Sequence, residues 1–416
     1  DPIIRQVGMR RPWDGMQGPD MSEYQYYEFR AIDRPLNQKE VDQLRALSTR
    51  AEITPTSFTN TYHWGDFKGD PDVLMDRYFD AFVYVANWGT HRLMFRIPRR
   101  FLDVEAALAY CDGEALSLKA TKGHVVLEFS SEDEPDDDWI EGEHWMPSLI
   151  SLRAELMRGD FRALYLGWLA SFRSRGWDDE DGWDGEDPAG DDRLEPPVPA
   201  GLAKPSAPLR ALSDFLRVDD ELIEVAAAGS AGAPPAEPSR AELARWVEGL
   251  PAADKDAYLL RFLGEEGDLL RAELSKRFRE ATAPPGARPA PGAGRRTVAQ
   301  LLAARDALVE EKDRKAAERA AGERARRERE QAEARATYLD DLARREPATW
   351  REVEELIATK RPKDYDRAVT LLVDLRDLAA RSGRVAEAEA RIRGLRQRHG
   401  NKPSLLKRFD EKRLGK

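Results

Sequence analysis

Alternation of apolar and polar residues is the first signal along the chain. It runs through "EYQYYEFRAI" (23–32), "HRLMFRIP" (91–98), "EALSLKAT" (114–121) and "HVVLEFS" (124–130), and predicts β-strands. The last two flank Lys122-Gly123 and read as a hairpin. Between the strands the period changes to that of a helix. Asn37 lies three residues before Glu40, a capping-box spacing, and Val41, Leu44 and Leu47 then share one helical face. Asp70-Pro71 starts a second helix, with Leu74, Met75, Tyr78, Phe79, Phe82 and Val83 as its apolar side. "FLDVEAALAYC" (101–111) is a third. "AEITPTSFTNTYHW" (51–64) reads as one extended segment that Pro55 confines to an edge or a kink. The expected order is β-α-β-α-β-α-β-β, an α+β domain over residues 21–131.

Downstream the pattern is helical. "MPSLISLRAELMRGDFRALYLGWLASFRS" (146–174) is apolar enough to pack on the α+β domain. Residues 132–175 are therefore expected to hold an acidic loop and helices packed on that domain. An acidic, Pro-rich linker (176–208) leads to a helical block (209–281), where Tyr258, Leu259, Phe262 and Leu263 stand at core spacing. Residues 282–296 are a Pro/Gly linker.

Residues 297–345 read as a charged single helix. From Glu310 to Thr337 there is no Leu, Ile, Val, Phe, Met or Trp. With no apolar stripe and no heptad seam, this segment is expected to stand in water as a rod of about 70 Å. Glu310–Arg314, Glu311–Lys315 and Glu323–Arg327 are its supporting i,i+4 pairs. Gly322 and the like-charged "RARRERE" favour the alternative, a disordered linker. Residues 346–416 regain apolar periodicity. Leu372, Leu375, Ala379, Gly383, Ala388, Ile392 and Leu395 match the register of one tetratricopeptide-like helix pair, and a basic tail follows. The expected fold class is an α+β N-terminal domain followed by a mainly α-helical region with a long charged helix and a C-terminal helical hairpin. Residues 1–20, ahead of Met21, read as a leader or extension.

Charge sharpens this division. The net −11 is concentrated in two runs: residues 132–143 hold eight acids and no base, and residues 178–195 hold ten acids against Arg193. Those runs read as solvated loops, and they argue against a surface that coats DNA. Cys111 is the only cysteine, so the chain has no internal disulfide and no thiolate metal cage, which suits the cytoplasm. No apolar run is long enough to span a bilayer. The five histidines lack metal-ligand spacing, and no phosphate-binding glycine motif occurs. No metal, no cofactor and no membrane contact is expected.

The segment from Tyr365 to Leu414, through "YDRAVTLLVDLRDLA" and "RHGNKPSLLKRF", resembles the C-terminal tail of bacterial SWIM zinc-finger proteins. That finger needs three cysteines and a histidine, so no zinc role carries over. The resemblance implies a helical attachment module. The stretches "TPTSFTNTYHWGDFKGDP" and "NWGTHRLM" resemble conserved bacterial proteins of unassigned function.

Candidate chemistry gathers in "SFTNTYHWGDFKGDPD" (57–72) and "VANWGTHR" (85–92). One reading closes His63, Trp64, Asp66, Lys68, Trp88 and His91 into a polar pocket, where a base, a carboxylate and a cation could serve an enzyme or small-ligand binder. The other makes them a structural corner: Gly65, Gly69 and Gly89 turn the chain, Asp70 caps a helix and the tryptophans close a core. A third function class, an RNA-associated factor, would need Tyr24, Tyr26 and Phe95 exposed on the sheet beside Arg92, Arg96, Arg99 and Arg100. The leading expectation is a non-enzymatic cytoplasmic adaptor. Its globular head would be joined through the charged helix to a hairpin that binds a protein partner with Trp350, Leu356, Leu372, Lys407 and Arg408.

Overall fold

The computed structural model describes residues 24–65, 67–111, 114–132, 142–172, 191–230, 238–263, 267–282 and 295–415. The N-terminal leader, most of both acidic runs, residues 283–294 of the Pro/Gly linker and Asp66 lie outside them. The chain forms two compact units, Asp1–Glu310 and Glu311–Lys416.

The first unit is built on a seven-stranded, wholly antiparallel sheet. Its strands are β1 (Gln25–Arg30), β2 (Glu52–Thr54), β3 (Ser57–Tyr62), β4 (Ala81–Ala86), β5 (His91–Pro98), β6 (Leu116–Ala120) and β7 (His124–Ser131), in the order β2-β3-β1-β4-β5-β7-β6. The α+β reading holds, with two corrections. Residues 51–64 are not one extended segment: the chain turns at Pro55-Thr56, and β2 pairs back on β3 with Thr54 opposite Ser57. The helix starting at Pro71 is also shorter than expected. It ends at Arg77, and Phe82 and Val83 lie on β4, which is buried along its whole length. The β-branched and aromatic run "AFVYVA" outweighs the helical spacing that leads into it.

Both faces of the sheet are covered. On one, Tyr27, Phe29, Phe58, Phe82 and Met94 meet Leu44 of α1 (Gln38–Leu47) and Leu74 and Met75 of α2 (Pro71–Arg77). The expected capping box at Asn37 and Glu40 is present, and Asp70 caps α2. On the other, Leu93, Phe95, Ile97, Leu127 and Phe129 form a core with several short helices. After α3 (Val104–Leu108) these are α4 (Trp145–Leu149), α5 (Ser151–Met157), α6 (Arg162–Leu169), α7 (Ala207–Leu216) and α8 (Asp220–Ala228). At Gly167 of α6 an added Cβ would lie 2.9 Å from Phe129 and 3.2 Å from Leu116, so the helix backbone touches the sheet directly.

Three further helices, α9 (Arg240–Gly249), α10 (Ala252–Leu263) and α11 (Gly267–Thr282), precede the long α12 (Val298–Arg344). The start of α12 is fastened within the first unit. Val298 N–H donates to the Arg193 carbonyl (2.9 Å), Glu195 N–H to the Arg296 carbonyl (2.9 Å), and Val298 and Leu301 enter the core. Glu195 is buried; it accepts from the Tyr165 hydroxyl and from Arg296 (2.8 and 2.9 Å). Burial first, and then the Glu195 charge, push the Tyr165 phenol far above its usual range.

The second unit contains the rest of α12 and α13 (Glu346–Ala358), α14 (Pro362–Arg381), α15 (Val385–Arg398) and α16 (Pro403–Glu411). Its own core joins Leu339 and Leu342 to Trp350, Ile357, Leu372, Ile392, Leu405 and Phe409. Gly383, at φ +72°, turns α14 into α15. Residues 310–334 of α12 are exposed without interruption. Of the expected pairs, Lys315–Glu311 closes at 2.5 Å, and Arg326–Glu330 (3.4 Å) is a further one. The two units also differ in charge. Residues 311–416 contain 29 Lys and Arg against 21 Asp and Glu, a net +8, which leaves −19 on residues 1–310.

Candidate functional site

The expected pocket does not assemble from the residues the sequence proposed. His63 and Trp64 follow β3 and point to solvent. Trp64 is 66% exposed with the Arg50 guanidinium 4.1 Å from its ring centre, and His63 lies 5.9 Å from the Tyr24 ring. Lys68 is exposed, and Asp66 is outside the described residues. Trp88 is half-buried against the core under α1 and α2.

His91 faces the other way. Strand alternation puts it on the side of Leu93, Phe95 and Ile97, where it is 4% exposed between Phe215 (ring centres 4.8 Å) and Trp145 (6.0 Å). Its Nε2 accepts from Arg217 (3.3 Å), which makes Nδ1 the protonated nitrogen, donating to the Phe215 carbonyl at 2.8 Å. Both ring nitrogens are therefore used in fastening the end of α7 to the sheet. Arg217, at φ +54°, completes this latch by donating to the Gly89 carbonyl (2.9 Å) and Ser131 Oγ (3.3 Å). His91 thus has a positioning role in the fold.

The sheet offers no base-stacking face through the named aromatics. Phe95, Tyr24 and Tyr26 are buried. Arg92 binds Glu128 (2.6 Å) and Arg96 binds Asp80 (2.8 Å). This last pair belongs to a buried network that the sequence did not reveal. Asp80 also accepts from the backbone of Ile32 and Asp33, while Arg153 of α5 donates to Asp33 (2.7 Å) and to the Arg96 carbonyl (2.8 Å). Burial holds the Asp33 carboxyl above its ordinary range, even against the opposing pull of Arg153. Its partners come from positions 80, 96 and 153, a separation at which spacing carries no signal.

In the second unit the expected gripping residues divide. Trp350 and Leu372 are core residues, because the packing of α13 and α14 on one another consumes their apolar faces. Leu356 is half-buried. Arg408 is held by Asp366 (2.6 Å) and Ser404, whereas Lys407 is exposed. Arg393, Lys412 and Arg413 are exposed cations of the same tail.

The most unusual surface lies on α9 and α10. Leu259, Leu260, Phe262 and Leu263 are 62%, 72%, 64% and 81% exposed, and Leu243 and Val247 of α9 are also exposed. The core placement expected for Leu259, Phe262 and Leu263 is thus overturned; only Tyr258 is half-buried. The reason is angular. "YLLRFL" places five apolar residues in six consecutive positions, more than one contact face of a helix accepts. That face is taken by α11: Arg261 binds Glu273 (2.9 Å), Arg277 reaches Asp254 (3.5 Å) and the Tyr258 hydroxyl, and Trp246 of α9 meets Phe278 edge-on at 5.6 Å. Phe278 is buried, and Lys276 donates to the Arg100 carbonyl, so the exposed face rests on a fixed base. A cluster of large apolar side chains in water marks a contact surface. Among the described residues, no group of histidine, cysteine and acidic side chains is arranged to hold a metal ion. No helix among the described residues is long and apolar enough to cross a membrane. No family model, curated protein or solved structure matches the chain.

Proposed function

We propose that the chain is a non-catalytic adaptor, in which α12 joins a first unit that docks on one protein to a second unit that docks on another. The observation that carries this reading is the 25-residue stretch Glu310–Ala334, which has no buried side chain and no large apolar one. A stretch of that kind contributes nothing to either core, and its helix is sustained by alanine propensity and ion pairs alone. Its use is to connect. The contact surface of the first unit is the apolar face of α9 and α10. That of the second is the cationic tail, with Arg393, Lys407, Lys412 and Arg413 suited to an acidic protein segment. The lone Cys111 suits a reducing compartment such as the cytoplasm.

The test is charge reversal on the full chain. Replacing Arg393, Lys407, Lys412 and Arg413 by Glu is expected to remove a protein captured by the wild type from native extract, with the circular dichroism unchanged. An unaltered set of captured proteins refutes the adaptor reading.

A further inference from the structure

We infer that a cleft between α11 and the turn after β5 binds a small phosphomonoester. The inference is independent of the adaptor reading, because neither the exposed leucines of α10 nor the cationic tail lines this cleft. It measures about 560 Å³, within the range of small-molecule sites. One wall is Arg100 and Phe101 of the turn Arg99–Phe101. Opposite them stand Arg261 of α10 and one face of α11, with Glu273, Lys276, Arg277 and Glu280 at i, i+3, i+4 and i+7.

Existing partners sort these cations. Arg261 is committed to Glu273 at 2.9 Å. The other three have no carboxylate that close. Arg100 is exposed and makes no ion pair among the described residues; its guanidinium lies 4.8 Å from the Phe101 ring centre. Lys276 donates to the Arg100 carbonyl (2.5 Å) and stands 3.9 Å from Glu280. Arg277 donates to the Tyr258 hydroxyl and reaches Asp254 only at 3.5 Å, an exposed pair that water screens and a stronger anion displaces. The Arg261 bond, joined by the charges of Arg100 and Arg277, holds the Glu273 carboxyl below its ordinary range against burial, so these cations act on one place. Three converging donors call for more than a carboxylate, which has two oxygens and one charge. A phosphomonoester presents three oxygens and a charge of roughly −2, and guanidinium forks match its geometry. The cleft has room beyond a phosphate for an organic body, beside Phe101 and the flat guanidinium of Arg100. The cations share one bounded cleft instead of following a track, which suits a small ligand and not a nucleic-acid strand. The walls are set in advance: Phe101 and Phe278 are buried, and Lys276 ties α11 to the turn.

Isothermal titration of the full chain with adenosine monophosphate and with ribose 5-phosphate tests the assignment. At least one is expected to bind near neutral pH with a Kd of ~1 mM or tighter. Inorganic phosphate is expected to bind several-fold more weakly, and adenosine and ribose not at all. Affinity is expected to fall several-fold below about pH 6, where the phosphate dianion takes up a proton. Arg100→Ala is expected to weaken binding about tenfold, the loss of one charge-assisted hydrogen bond. Its melting curve should not change, since the Arg100 side chain is exposed and makes no ion pair. The charge-reversed tail variant is expected to bind as the wild type does. Failure of both phosphomonoesters to bind overturns the proposal. Equal affinity for inorganic phosphate, an adventitious ion only, overturns it too. So does binding that Arg100→Ala leaves intact or that the tail variant removes, either of which puts the anion on another cationic surface.

Discussion

His91 and Glu155 show how burial decides what a titratable residue does. His91 reads from sequence as a partner for His63, because each stands next to a Trp-Gly or Gly-Thr turn. Lateral position separates them: His63 follows β3 and is exposed beside Tyr24, whereas His91 is buried on β5 against Phe215. β1 and β4 lie between the two strands, and single-sequence spacing does not give strand order. Glu155 of α5 carried no signal at all. Its Oε2 is buried without a hydrogen-bond partner, and burial, with Asp160 adding to it, raises its carboxyl above the ordinary 4.5. An acid whose folded value is raised is destabilising when charged. The penalty is full above the folded value and disappears below the ordinary one, where both states hold the proton. Glu155→Gln is therefore expected to stabilise the protein at pH 7 by about 1 kcal/mol, the cost of one poorly satisfied buried polar group. Urea denaturation should show that gain shrinking to nothing as pH falls below about 4.5. A gain that persists at pH 3 would assign the effect to packing instead.

Elements were legible where the pattern had one interpretation. The capping box at Asn37, the β6–β7 hairpin and the long α12 follow from local residues, and each is present. Legibility failed where two periods overlap. "YFDAFVYVA" satisfies helical spacing through Val83 and is at the same time a β-branched and aromatic run, and only pairing with β1 and β5 decides the boundary. α10 failed differently: its apolar residues were visible, but not that α11 covers one side alone. Within α12, Gly322 is the weak position, and an added Cβ there meets nothing within 4 Å. Gly322→Ala is thus expected to strengthen the helix by about 0.5–1 kcal/mol, from backbone entropy alone. Slower amide exchange on either side of residue 322, with no change at α14, is the signature. Equal slowing throughout the second unit would mean that the helix and its core open together.

At the scale of the whole molecule, two separate cores are linked by backbone that neither of them protects. Local opening in Glu310–Ala334 breaks helical hydrogen bonds and no tertiary contact, so its cost is small compared with either core. Brief trypsin treatment is expected to cut between Lys312 and Arg329 among the earliest sites. Each product should keep its own cooperative melting transition. Survival of this stretch while the sheet unit is digested would contradict an unsupported helix. The sequence made this organisation readable through what residues 310–337 lack; the identity of the surfaces on either unit was not readable, since exposure is settled by distant neighbours. The opposed charges of the two units have a practical corollary. At neutral pH the intact chain can be held by an anion exchanger through its acidic portion and by a cation exchanger through its basic one, and cleavage in the linking helix would send the two pieces to different columns.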